Sequence, residues 1–117
     1  MAFQISWRGA SGSSYTFETY PNGTAFNPVS AVYIFCREVS PGSWEALYVG
    51  ETQSLENRLN ANVFSHIGYG RAKRLGMTHI AALVVAGEAE RVRIETDLRH
   101  GLNPSANRQS VLGGYNQ

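Results

Sequence analysis

The sequence predicts an α+β fold, a small antiparallel or mixed β-sheet flanked by helices. Two observations carry this. In the first half, runs rich in β-favouring residues alternate apolar with polar and are separated by Gly/Pro turns. After Gly50 the apolar positions recur at i and i+4, as on a helix face. A chain of 117 residues, 43% hydrophobic, suits one domain built on one core.

The elements follow in order. Phe3, Ile5 and Trp7 alternate with polar residues, the stretch from Gly9 to Ser13 turns the chain, and Tyr15 to Tyr20 reads as a partner strand. Pro21-Asn22-Gly23 and Asn27-Pro28 punctuate a loop. Val29 to Val39 is the strongest apolar strand of the front half, and Trp44 to Gly50 is its return across a Ser-Pro-Gly-Ser turn. Ser54 caps a helix carrying Leu55 and Leu59, and Gly68 to Leu75 is a second short helix with the basic cluster Arg71-Ala72-Lys73-Arg74. Thr78 to Val85 is a strand. Glu88 to His100 is a helix with acids first and bases last, ended by Gly101 as C-cap and by Asn103-Pro104.

Charge is unevenly distributed. The total is +1, but residues 1–57 hold two bases against five acids, and residues 58–117 hold eight bases against four. A polybasic mode of nucleic-acid binding is excluded, whereas a local basic surface in the back half is not. The most apolar run, Ile80 to Ala86, is far shorter than the roughly 20 residues a bilayer requires. No CxxC, HExxH or P-loop motif is present. With Cys36 as the one cysteine and no signal-peptide pattern at Met1-Ala2-Phe3-Gln4, the expected compartment is the cytoplasm. Cys36, within the apolar strand, reads as a packed small hydrophobe.

Two polar residues stand where packing alone does not explain them. On a helical wheel Glu95 falls in the apolar arc of Val92, Ile94, Leu98 and Leu102, while Glu90, Arg93, Asp97 and His100 lie opposite. A carboxylate there needs a partner, either Arg91 or Arg99 at i±4 or a cation. Arg58, beside Leu55 and Leu59, has no acidic neighbour at i±3 or i±4. Its guanidinium either extends into water or meets a phosphate.

Ala31-Val32-Tyr33 and Tyr48-Val49-Gly50 resemble the two signature tripeptides of the GIY-YIG nuclease family, here as AVY and YVG. The downstream elements are similar and in family order: Ser54 to Leu59 resembles the helix with the family's arginine, Ile94 to Leu98 the segment of its metal-binding glutamate, and Pro104 to Asn107 that of its terminal asparagine. The tyrosines are 15 residues apart, more than in many family hairpins, and the turn from Ser40 to Trp44 is expected to absorb the excess.

The resemblance implies an N-terminal β-hairpin extension at 1–30, a GIY-YIG-like catalytic core at 31–107 and a tail at 108–117, all in one domain. It implies hydrolysis of DNA phosphodiester bonds by a metal-dependent endonuclease using one divalent cation, Mg2+ or Mn2+. Glu95 would be the metal ligand and Arg58 would neutralise charge at phosphorus. Tyr33 would act as general base on the attacking water or position it, with Tyr48 beside it, and Asn107 would orient the site. His66 would fill the role of a His or Tyr after the arginine helix, with Tyr69 and Lys73 as rivals. Arg71, Lys73 and Arg74 would contact DNA, and no membrane partner is expected. The alternative is a non-catalytic DNA-binding or protein-interaction module on the same fold, with Arg91 and Arg93 as added phosphate contacts, or a homodimer formed through the N-terminal hairpin.

Overall fold

In the computed structural model, which describes residues 2–107, β1 (Phe3–Arg8), β2 (Ser14–Pro21), β3 (Ala31–Ser40), β4 (Ser43–Thr52) and β5 (His79–Val84) form one sheet in the order β1-β2-β5-β3-β4. The predicted tail at 108–117 lies outside the described residues. Every neighbouring pair of strands is antiparallel. The architecture is therefore α+β, with a purely antiparallel rather than mixed sheet. The N-terminal hairpin is part of that sheet, because β2 pairs with β5 from Glu18↔Ala82 to Pro21↔His79. Phe3 and Trp44, from the two outermost strands, have ring centroids 5.4 Å apart, so the sheet curls until its edges approach.

β3 lies between β5 and β4, and its residues Ala31 to Cys36 are all buried. A strand covered on both faces has no wet side, which is why this run lacks polar alternation. Ala31, Tyr33 and Phe35 face a core shared with Leu55, Leu59, Val63, Tyr69 and Ala72. Val32, Ile34 and Cys36 face the other core, with Trp7, Phe17, Ile94 and Leu98. The first core is covered by the segment from Leu55 through α1 (Ile67–Arg74), the second by α2 (Glu88–Leu102). Neither helix is long and apolar enough to cross a membrane.

Four local expectations are revised. The chain between the tyrosines is taken up by strand, not by a longer turn: Ser40 pairs with Ser43 across Pro41-Gly42, where Gly42 has φ 79°. Proline at the first central position and a left-handed glycine at the second close a two-residue turn. The register also steps between Phe35 and Cys36, leaving Leu47 as an extra residue just before Tyr48. The helix at Ser54 starts as expected, with Ser54 Oγ accepting from the Asn57 N–H at 3.1 Å. It then widens into a π-helical turn, Asn57–Ala61, whose Asn62 N–H returns to the Asn57 carbonyl at 2.9 Å. A 3-10 turn, Val63–Ser65, leads into α1. Val92, assigned to the apolar arc, is exposed instead.

The fourth revision concerns the end of α2. Gly101 remains helical, and Asn103 adopts the left-handed φ of 47° while donating its N–H to the Arg99 carbonyl at 2.9 Å. Gly101 serves a different purpose: a Cβ there would stand 2.5 Å from the Ala10 nitrogen. The β1–β2 turn presses on α2 at this point. Asp97, expected on the polar face, accepts hydrogen bonds from Ser11 N–H (2.8 Å), Ser11 Oγ (2.7 Å) and Tyr15 OH (2.7 Å). These donors hold its carboxyl below the usual range. Because the clash involves backbone, Gly101→Ala is expected to cost about 1–3 kcal/mol in urea unfolding. An unchanged midpoint would show that the turn does not rest on the helix.

Candidate active site

The sheet contributes both tyrosines to the site. Phe35 pairs with Tyr48 and Tyr33 with Gly50, which places the two tyrosines on the same face, their ring centroids 6.2 Å apart. Gly50 makes this possible, since a Cβ there would stand 2.6 Å from the Tyr33 hydroxyl and 2.9 Å from the Tyr48 ring. Gly68 in α1 does the same on the other side of Tyr48, where a Cβ would come within 2.5 Å of the ring. Tyr48 is thus held in a slot between two glycines.

His66 closes the site from the segment preceding α1. Its Nδ1 accepts the Tyr69 N–H at 3.2 Å, capping α1, and its Nε2 lies 2.7 Å from the Tyr33 hydroxyl. With Nδ1 already accepting, the neutral imidazole carries its proton on Nε2 and donates it to the Tyr33 oxygen. Burial, then the charge of Arg58, lowers the His66 pKa from 6.5 to about 4. The imidazole is therefore neutral near pH 7 and acts as a fixed donor. The rivals lie elsewhere: the Tyr69 hydroxyl accepts from Asn22 Nδ2 at 3.2 Å, and the exposed Lys73 lies over the Tyr69 ring.

Tyr33 and Tyr48 differ in access. Tyr33 is 1% exposed and lies beneath the pocket, and burial pushes its hydroxyl pKa far up, partly opposed by a hydrogen bond and charge from Arg58. Tyr48 lines the pocket directly, and among the described residues its hydroxyl has no hydrogen-bond partner. Burial also raises the Tyr48 pKa; Arg58, Arg99 and Arg71 lower it, and Glu95 raises it.

The pocket is an open cavity of about 440 Å³ whose charged lining comprises Arg58, Arg71, Arg99 and Glu95, with Asn107 at its wall. Arg58 thus points to the pocket side, not simply along the surface. Glu95 Oε2 accepts from Arg99 Nε at 3.0 Å, so Arg99 and not Arg91 is its helical partner. Arg91 is 2% exposed and donates to Glu51 at 2.9 Å and to the Ala86 carbonyl at 3.0 Å, which removes it from phosphate contact. Arg93 pairs with Glu90 on the surface at 2.7 Å. Lys73 and Arg74 are exposed on α1 and do not line the pocket, unlike Arg71.

Asn107 acts on the backbone. Its Oδ1 accepts the Val49 N–H at 2.7 Å and its Nδ2 donates to the Val49 carbonyl at 3.0 Å, while Ala106 N–H donates to Leu47 O at 2.8 Å. The segment after α2 thereby covers the free edge of β4 and brackets Tyr48 on both sides. No family model, curated protein or solved structure matches this chain. Among the described residues, no cluster of three or more His, Cys, Asp or Glu forms a ready-made metal cage.

Sequence reasoning passed over Gly68 and Ser65, and treated Arg99 only as a partner for Glu95. Only the Glu95–Arg99 spacing was readable beforehand, because the approach of Gly68 to Tyr48 depends on how α1 packs on the sheet. The buried imidazole makes a prediction about stability. Between pH 6.5 and about 4 the unfolded chain takes up a proton that folded His66 refuses. Its contribution is full above 6.5 and lost as pH falls through that window. Urea unfolding across this range should give a steeper pH dependence for the native chain than for His66→Gln. Equal slopes would show that His66 is not held neutral.

Proposed function

We propose that this chain is a divalent-cation-dependent endonuclease of GIY-YIG type that hydrolyses DNA phosphodiester bonds. The observation that carries the reading is the convergence of Arg58, Arg71, Arg99, Glu95 and the Tyr48 hydroxyl on one open pocket. Three guanidiniums against one carboxylate make a site for an anion, and their planar donor forks match the non-bridging oxygens of a phosphate.

The chain's own groups divide the work. Arg58, bonded to the buried Tyr33 hydroxyl, is held with its charge toward the pocket, where it stabilises the extra negative charge of a five-coordinate phosphorus. His66 fixes Tyr33 and thereby Arg58. Tyr48 is the tyrosine that reaches the pocket, so it orients the attacking water and, once its own proton is lost to solvent, takes the water's proton as phenolate. Asn107 holds the strand that carries Tyr48. Lys73 and Arg74 contact phosphates outside the pocket.

A single carboxylate suits Mg2+ or Mn2+, since Mg2+ keeps several waters and commonly binds one or two carboxylates plus substrate phosphates. Glu95 would hold it, and because three guanidiniums oppose a free dication, the cation is expected to bind together with the phosphate. When bound, it supplies positive charge that activates water and shields the leaving oxygen. Glu95 is also a charge that raises the Tyr48 pKa, so its neutralisation favours the phenolate form, the form of Tyr48 that can take a proton.

A second reading, a phosphate-binding module without cleavage, is favoured by the Glu95–Arg99 ion pair, which satisfies one carboxylate oxygen without a metal. Nicking of supercoiled DNA separates the two. With Mg2+ or Mn2+ the native protein should nick, faster as pH rises above neutral because the Tyr48 pKa is raised. Arg58→Ala and Glu95→Ala should each lose about 10²- to 10³-fold, and Tyr48→Phe about 100-fold or more. Nicking that survives the Arg58 and Glu95 changes overturns the site. Binding that weakens steeply with salt, with no nicking under any metal, supports the second reading.

A further inference from the structure

Two large apolar side chains stand exposed in the segment that borders this pocket, Ile67 lining it and Phe64 preceding the lining residue Ser65. Phe64, in the 3-10 turn, is 91% exposed, and Ile67, the first residue of α1, is 70% exposed. Among the described residues, the one ring near Phe64 is Tyr69, edge-on with centroids 6.5 Å apart. Such exposure contributes nothing to the core, yet the segment is not loose. Val63 before Phe64 is buried, and His66 between the two apolar residues is buried and bonded to Tyr33. The same pocket is lined by Ser65, Ile67 and, one helical turn on, Arg71.

Ile67 therefore joins an exposed apolar pair to the cationic pocket, and the His66 anchor between Phe64 and Ile67 holds that pair in register with the site. The three guanidiniums fit a polyanion, and a polyanion with flat apolar groups beside each phosphate is a nucleic acid. We propose that Phe64 and Ile67 form a wedge that stacks against an unstacked nucleobase next to the phosphate held by Arg58, Arg71 and Arg99. This rests on the reading of the pocket as a DNA phosphate site, and adds a preference for DNA in which a base beside the cut is free to leave the stack. Wedges of this kind unstack a base step, at lowest cost where pairing is already interrupted.

The test is binding of the full chain, in EDTA, to two short duplexes. One is fully paired, and the other carries a single unpaired 2-aminopurine. Native protein should bind the interrupted duplex about tenfold or more tightly and quench the 2-aminopurine. Phe64→Ala should lose roughly tenfold on that duplex and abolish the quench, and Phe64→Tyr should retain both. At 91% exposure Phe64 can be truncated without disturbing the fold, and an unchanged melting curve verifies it.

Equal binding of native and Phe64→Ala proteins to both duplexes, with the quench unaltered, overturns the wedge. So does a Phe64→Ala variant that binds DNA normally but loses self-association in light scattering, which makes the patch a protein interface. Metal-dependent nicking separates this proposal from the one it rests on. If native protein nicks and Phe64→Ala binds and nicks as well, the wedge falls and the nuclease reading stands. If the quench is Phe64-dependent but no nicking occurs, the wedge stands and the nuclease reading falls.

Discussion

The hydrogen bond of 2.7 Å between His66 Nε2 and the Tyr33 hydroxyl joins the two halves of this molecule at the point where the site is made. Tyr33 belongs to β3, a strand buried on both faces, and His66 caps α1 through its other nitrogen. One imidazole therefore sets the position of α1 over the sheet, the orientation of Tyr33, and through Tyr33 the place of Arg58. The bond works because burial keeps the imidazole neutral, with its donor and acceptor nitrogens both committed. A charged ring would have two donors and would turn one of them against the Tyr69 N–H.

Close approach is the second requirement. Gly50 and Gly68 let the Tyr48 ring lie against backbone on both sides, and Gly101 lets the N-terminal turn press on α2. The N-terminal hairpin is thereby drawn into the fold twice, by β2–β5 pairing and by the bonds to Asp97. Its acidic and polar residues act in structure and stand apart from the basic pocket. The charge asymmetry along the chain thus becomes a spatial one, although less simply than counting bases suggests. Arg91 is consumed in a buried ion pair and Arg93 in a surface one, whereas Arg58, Arg71 and Arg99 converge.

Edge protection and site assembly are the same event. β4 is an outer strand, and the two side-chain bonds of Asn107 to Val49 occupy peptide groups that would otherwise be open to pairing. Because Val49 follows Tyr48, covering the edge also immobilises the tyrosine that faces the pocket. Asn107, expected to orient the site, is bonded to main chain through both of its side-chain polar atoms.

Local pattern alone determined the strands, the apolar centre of β3, the long helix α2 and the anomaly of Glu95, because each follows from periodicity and from the cost of burying charge. It was also enough to single out Arg58, which has no acidic neighbour within its own helix. Local pattern could not determine the π-helical turn, the two-residue turn at Pro41-Gly42, or Asn103 in place of Gly101 as the helix cap. In each case the conformation is settled by a neighbour distant in sequence or by a single dihedral. Tertiary structure alone decided which arginines face the pocket, which tyrosine reaches it and what His66 binds. The physical reason is that those outcomes depend on the packing of α1 and α2 on opposite faces of a curled sheet, and no spacing along the chain encodes that distance.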